Sequence, residues 1–225
     1  MCANNGLADD TAQASDTPWP PSLANRQVVV NETIVAPLLY VSSRQINFQF
    51  PSGAPSGANR IAVRRADTGE LIAGGTVLVA GVSPGLFTLT QDGKGQAAAR
   101  NQDGITGNGP SNPAPKGSYI SLYGTGQGPV SPAVPDGFPA SANPTSSTVA
   151  LPTSDAKTCL STQPSMCVVI GSSFGNIQYT GLAPTYVGLW QINVQIPSDV
   201  AAGNAVPVRV IINGTPSNTV TIAVK

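Results

Sequence analysis

The chain has 225 residues, with 11 Lys or Arg and 11 Asp or Glu, so its formal net charge is zero and charged residues make up only 10% of it. An average soluble domain carries about 25% charged residues, and a nucleic-acid-binding surface needs clustered Lys and Arg. The basic residues here are few and scattered, which argues against a nucleic-acid partner.

Short apolar segments rich in Val, Ile, Tyr and Thr alternate with turn residues along the whole chain. The 24 Gly and 21 Pro fall between these segments, where they mark turns. Helical spacing of apolar residues is nearly absent, and no apolar run reaches the roughly 18 residues of a membrane helix. The sequence therefore predicts an all-β protein without a membrane span.

In chain order, the first informative segment is one that recurs near the C-terminus. Residues 45–51 read QINFQFP, and residues 191–197 read QINVQIP. Upstream of these phrases Tyr40 aligns with Tyr186, and downstream both copies end alike, in TVLVA and TIAVK. An internal repeat of this length defines the architecture, so we expect two copies of one module.

The repeated phrase predicts one amphipathic strand in each module. Its apolar positions are Ile46, Phe48 and Phe50 in the first copy and Ile192, Val194 and Ile196 in the second. This period of two places the apolar side chains on one face, against a facing sheet, and the amides on the other, toward water or a neighbouring module. Short strands separated by turn signals favour a β-sandwich.

Domain boundaries follow from the repeat. We expect module 1 over residues 1–81 and module 2 over residues 82–225, joined near residues 80–84, with a long Pro/Gly-rich loop in module 2. Because CANNGLA near the start resembles LYGTGQG at the end of a clear strand in module 2, the first copy reads as beginning inside a strand. We therefore expect an upstream segment, and an edge in module 1 that can exchange a strand with another chain.

The three cysteines are Cys2, Cys159 and Cys167. The last two flank a polar loop, CLSTQPSMC, and a disulfide between them fits an oxidising compartment. Two unpaired thiols in a reducing compartment are the alternative. Cys2 has no predicted partner.

Several long motifs resemble one bacterial family. The segments PGLF, GQAAARNQDG, NPAPKGSYISLYGTGQGP, APLLYVSSRQINFQFP and GLWQINVQIP are similar to the Solibacter uncharacterised C-terminal domain of large secreted acidobacterial proteins. The halves of that domain resemble IPT/TIG immunoglobulin-like domains. The resemblance implies two tandem immunoglobulin-like β-sandwich modules, an extracellular or cell-surface location, and a non-catalytic function. The early start of module 1 and the cysteine loop depart from the family pattern.

Two glycine motifs and the carboxylates are the features of the sequence with a pattern typical of chemical sites. GSSFG (171–175) matches the hydrolase nucleophile elbow, but the chain has no histidine and the following residues read as a strand. GTGQG (124–128) is followed by PVSPAVP, which cannot open the helix that a phosphate loop needs. The carboxylates lie mostly in Asp-Gly turns. We predict no catalytic, cofactor-binding or metal-binding residues.

Three functions remain open from the sequence. The first is a structural spacer or adhesion module that binds protein or polysaccharide at the cell surface. The second is a carbohydrate-binding appendage of a polysaccharide-active enzyme, with Trp190, Tyr186 and Tyr179 stacking on sugar rings. Arg44 occupies the position of Trp190 in the first copy, so we expect this tryptophan to be partly exposed. The third is a fibre subunit that donates a strand to its neighbour.

Overall fold

A computed structural model of the protein describes residues 6–160 and 164–225. Within these ranges the regular structure is mostly antiparallel β-strand with a single four-residue helix, so the all-β prediction is confirmed. In the same ranges no helix has the length and apolar character needed to cross a membrane. Cys2 lies outside the described residues.

The chain forms two compact units, and each is described by itself. Unit 1 contains the described residues up to Gly81, together with Val134–Ala140 and Thr185–Gly188. Unit 2 contains Val82–Ala133, Ser141–Pro184 and Leu189–Lys225. The predicted ranges assigned every residue after 81 to module 2, whereas two of its segments belong to unit 1.

The described residues of unit 1 form seven strands in two sheets. The strands are β1 (Ala12–Gln13), β2 (Arg26–Val30), β3 (Ile34–Ala36), β4 (Leu38–Val41), β5 (Ile46–Phe48), β6 (Gly57–Arg65) and β7 (Leu71–Val79). One sheet has the order β1-β4-β5 and the other the order β3-β2-β6-β7. Buried residues of both sheets, such as Val28 and Leu38, share one core cluster, so the unit is sandwich-like.

Backbone and side-chain hydrogen bonds hold the first inserted segment in unit 1. The Trp19 N–H donates to the Gly137 carbonyl at 2.9 Å, and the Gly137 N–H donates to Oε1 of Gln49 at 2.6 Å. The Ser52 N–H donates to the Asp136 carboxylate at 2.9 Å. These bonds connect residues far apart in sequence, which is why a sequence-based boundary misses the insertion.

Unit 2 has twelve strands and the helix. They are β8 (Gly85–Leu86), β9 (Ala99–Asn101), β10 (Tyr119–Thr125), β11 (Val130–Ser131), β12 (Ser147–Thr148), β13 (Leu151–Pro152), α1 (Ala156–Cys159), β14 (Ser165–Ile170), β15 (Ser173–Leu182), β16 (Trp190–Gln195), β17 (Gly203–Ile212), β18 (Thr215–Pro216) and β19 (Val220–Val224). The main path runs β18-β17-β14-β15-β16-β10-β8. The long strand β15 pairs with β14 at its start and with β16 over the rest of its length, and so joins two layers.

The second copy of the repeated phrase forms the centre of unit 2. Strand β16 is hydrogen-bonded to β10 on one side and to β15 on the other. Its inward side chains Trp190, Ile192 and Val194 are fully buried in the largest core cluster, as the alternation predicts for the last two. Gly124 lies opposite Trp190 on β10. A Cβ at that position would collide with the Gly85 carbonyl and would stand 3.2 Å from the indole ring.

The same strand neighbours occur in both units. The order β2-β6-β7 of unit 1 matches β14-β17-β19 of unit 2, and the pair β4–β5 matches β15–β16. Unit 2 adds β10 beside β16, and among the described residues unit 1 has no strand in the corresponding place. As a result Ile46 and Phe48 are only half-buried, whereas Ile192 and Val194 are fully buried.

This difference predicts unequal costs for one substitution at equivalent positions. Ile192→Ala should lower the free energy of unfolding by about 2–5 kcal/mol, because it opens a cavity in a closed core. Ile46→Ala should cost less than half as much, since its side chain already meets solvent. Urea denaturation followed by tryptophan fluorescence measures both, because Trp19 lies in unit 1 and Trp190 in unit 2. Equal costs would contradict the assigned burial.

Candidate functional site

The outward side chains of β16 lie at the centre of a polar face in unit 2. Side chains directly opposite each other on paired strands share a face. The register of β10, β16 and β15 therefore gives three rows: Tyr123–Gln191–Gly181, Ser121–Asn193–Tyr179 and Tyr119–Gln195–Asn176. We call these nine residues the amide–tyrosine face. From strand geometry it measures about 13 Å along the strands and about 10 Å across them.

Asn193 occupies the middle of this face. Its Oδ1 accepts hydrogen bonds from the Ser121 hydroxyl and from Nε2 of Gln191, each at 2.9 Å. Its Nδ2 group has no hydrogen-bond partner among the described residues, and the residue is half-buried. Because the two bonds fix the amide oxygen, they orient the amino group as a free donor.

The side chain of Tyr179 runs along its own strand toward Leu182. Its hydroxyl donates to the Leu182 carbonyl at 2.7 Å, three residues further along the same strand. The hydroxyl oxygen stands 2.6 Å from the place where a Cβ of residue 181 would be, so only glycine leaves room for it there. Partial burial raises the pKa of Tyr179 above the ordinary value of 10.0. The ring is thus held in one orientation over Gly181.

Unit 1 contains the same local arrangement. Tyr40 lies opposite Asn47, as Tyr179 lies opposite Asn193. Nε2 of Gln45 donates to Oδ1 of Asn47 at 2.6 Å, which repeats the Gln-to-Asn bond of unit 2.

An irregularity in strand register precedes each of these tyrosines. It falls between Leu38 and Tyr40 in unit 1 and between Ile177 and Tyr179 in unit 2. A bulge of this kind turns the next side chain to the opposite face, here the outer one. The structural counterpart of Tyr40 is therefore Tyr179, and the sequence alignment of Tyr40 with Tyr186 is wrong.

The three predicted stacking residues do not form one cluster. Trp190 is fully buried, and its indole N–H donates to the Thr180 hydroxyl at 3.0 Å, so the expectation of a partly exposed ring is wrong. Tyr186 belongs to unit 1 and is 55% exposed. Only Tyr179 lies on the amide–tyrosine face. Repeat alignment misplaced Trp190 because β8 and β10 of unit 2 cover a position that is exposed at Arg44.

The helix α1 and strand β14 are joined by a disulfide. Cys159 and Cys167 are bonded, with their Cα atoms 5.6 Å apart, and both are fully buried. They form a small cluster with Ile211 of the neighbouring strand. Asp155 caps the helix by accepting from the Thr158 hydroxyl at 2.6 Å and from the Thr158 N–H at 2.7 Å, and these two hydrogen bonds lower the pKa of its carboxyl.

Both glycine motifs form backbone turns. Gly171 has φ +62° and lies in the hairpin between β14 and β15, so GSSFG is a strand–turn–strand segment. The Ser173 hydroxyl of this motif donates to Asp199 at 2.9 Å. Gly126 has φ +77° and packs tightly against the Ser83 carbonyl.

An ion-pair cluster holds the early residues of unit 1 to β2. Arg26 is 2% exposed and donates to the Leu7 carbonyl at 2.6 Å and to Asp9 at 3.1 Å. Arg65 extends the cluster to Asp67 at 3.2 Å, and this bond lowers the pKa of the Asp67 carboxyl. In residues 6–160 and 164–225, no group of three His, Cys, Asp or Glu side chains is arranged to hold a metal ion.

Comparison of the sequence with protein-family models and with curated proteins gave no match. The resemblance to the Solibacter C-terminal domain therefore stays a prediction.

The raised pKa of Tyr179 predicts that its hydroxyl loses its proton at a higher pH than an exposed tyrosine does. Tyr179→Phe should remove one phenolate absorbance signal from the part of an alkaline titration above pH 10.0. The sign follows from the raised pKa: as pH rises through about 10, the unfolded chain loses this proton first, so stability falls. Loss of a signal at or below pH 10 in the variant would contradict the assigned environment.

Proposed function

We propose that the chain is a non-catalytic structural and interaction module of a larger secreted or cell-surface protein. Its two immunoglobulin-like units act as spacers, and unit 1 binds a partner by accepting an extended strand. The observation that supports this best is the unequal pairing of the repeated strand. In unit 2 β16 has neighbours on both sides, whereas β5 has only β4 among the described residues.

The unpaired edge of β5 favours a partner strand with apolar residues. Its counterpart in unit 2 is filled by β10, whose Ile120 and Leu122 are each 1% exposed and cover the core. A strand beside β5 would shield the half-buried Ile46 and Phe48 in the same way. We therefore propose as partner an antiparallel segment with alternating apolar residues, like YISLY in β10.

A second free edge lies at β7. Its counterpart β19 pairs with β17 on one side, while Ala97 and Ala114 donate backbone bonds to it on the other, at 2.8 and 2.9 Å. In contrast β7 pairs only with β6 in the described part of the chain. Its nine residues, LIAGGTVLV, include no charge and no proline, the features with which proteins block edge pairing.

One chemical feature outside unit 1 supports an extracellular location. The buried disulfide between Cys159 and Cys167 suits an oxidising compartment. The alternative function, a carbohydrate-binding appendage, is favoured by the amide–tyrosine face of unit 2.

Strand acceptance at β5 can be tested with a peptide of the chain itself. A synthetic peptide of residues 117–125, GSYISLYGT, should slow amide hydrogen exchange in residues 45–49 severalfold. Mass spectrometry of peptic fragments measures the exchange. The matched control peptide carries Asp at the positions of Ile120 and Leu122 and should give no protection. Unchanged exchange with a saturating concentration of the natural peptide would refute acceptance at this edge.

The β7 edge predicts concentration-dependent self-association. The double variant Leu71→Lys, Leu78→Lys should weaken it, because lysines on an edge strand oppose pairing, and both side chains are well exposed. Sedimentation velocity over a range of concentrations measures the change. The matched control, Leu89→Lys with Ile105→Lys, adds the same charge at exposed positions off the strands of unit 2. Equal effects of the two variants would show that charge alone matters.

A further inference from the structure

We propose that the amide–tyrosine face of unit 2 is a binding site for a neutral polysaccharide. The inference goes beyond the strand pairing proposed for unit 1 and does not depend on it. It rests on three properties of the nine residues: their charge, their free hydrogen-bonding groups and the fixed ring of Tyr179.

The face itself carries no acidic or basic side chain. Its members are amides, hydroxyls, tyrosines and one glycine. The nearest charge in register is Arg100 of β9, opposite Ser121, and its guanidinium donates to the Gly104 carbonyl at 2.9 Å. Arg100 is exposed and lies beside Ser121 on this side of the sheet, but its bond to Gly104 directs it toward its own loop. The nine residues themselves offer a ligand no ion pair, so an uncharged hydrogen-bonding molecule fits them best.

Free donors and acceptors are spaced over the face. The amino group of Asn193 and the hydroxyls of Tyr119 and Tyr123 have no hydrogen-bond partners in the described part of the chain. Along β10 these two tyrosines stand about 13 Å apart, with Asn193 between them on the next strand. Sugar hydroxyls both donate and accept, so a row of them can satisfy all three groups.

Tyr179 supplies a stacking platform that is already ordered. Its hydroxyl bond to Leu182 and the absence of a Cβ at residue 181 hold the ring along the sheet, beside Asn193. The C–H face of a pyranose packs against a flat aromatic ring while its hydroxyls reach neighbouring amides. Because the ring does not have to be ordered on binding, the entropy cost of recognition is reduced.

Only unit 2 has the whole face. In unit 1, Tyr40 of β4 corresponds to Tyr179, and Asn47 and Gln45 correspond to Asn193 and Gln191. No strand corresponding to β10 occurs among the described residues of unit 1, so the residues that β10 contributes to the face have no counterpart there. The principal site is therefore in unit 2. Its length suits a few consecutive sugar units of a linear chain.

Affinity electrophoresis of the full chain tests the proposal. Native gels contain one of four neutral polymers (hydroxyethylcellulose, xylan, galactomannan or soluble starch) or the anionic polymer polygalacturonate. We expect at least one neutral polymer to retard the protein and polygalacturonate to leave it unchanged. Tyr123→Ala with Asn193→Ala should weaken the retarding interaction about tenfold or more, because it removes an aromatic contact and a free donor.

A control variant distinguishes binding at this face from binding at Tyr186, the predicted stacking residue that lies in unit 1. Tyr186→Ala removes an exposed tyrosine from unit 1 and should leave the retardation unchanged. Circular dichroism confirms that each variant is folded, and Tyr119→Ala replaces the double variant if that one is not. Absence of retardation in all four neutral polymers overturns the proposal, as does retardation that survives these substitutions. Loss of binding in Tyr186→Ala alone would move the site to unit 1.

Discussion

The position of β16 between β10 and β15 is the constraint on which unit 2 depends. With both neighbours in place, the inward side chains of the strand are sealed from water, and Trp190 can be buried with its N–H bonded to Thr180. Gly124 is needed on β10 because the Gly85 carbonyl of β8 fills the space that a side chain there would occupy, with the indole close behind it. The same pairing brings Ser121 next to Asn193 on the outer face. Core and surface are thus consequences of one register.

Unit 1 shows what the repeated strand becomes with one neighbour fewer. The bulge, the tyrosine opposite the asparagine and the Gln-to-Asn bond are all present, because they need only β4 and β5. Full burial of Ile46 and the third column of the face are lacking, since both require a strand such as β10. A partner strand at β5, as proposed above, would cover Ile46 in the way that β10 covers the core of unit 2.

Sequence patterns identified the strands better than the sites. Alternation in QINVQIP correctly predicts that Ile192, Val194 and Ile196 are buried, and the residues after GSSFG form the strand that the sequence indicates. The expectation of a partly exposed Trp190 is wrong because β10, the strand beside it, lies at least 65 residues earlier in the chain. Tyr179 was placed among the stacking candidates, but its bonded orientation over Gly181 could not be read from the sequence.

The sequence alone determined the all-β class and the burial of Ile192, Val194 and Ile196 in the second copy of the repeated phrase, because period-two alternation and turn residues are local properties. In the first copy Ile46 and Phe48 pack against the core, whereas Phe50 lies beyond the end of β5. Tertiary structure decided which edges are paired, where two inserted segments belong, and which polar groups meet on one face. Those features depend on register between strands far apart in the chain. A single bulge residue changes which side of the sheet a tyrosine occupies, and no local pattern records that choice.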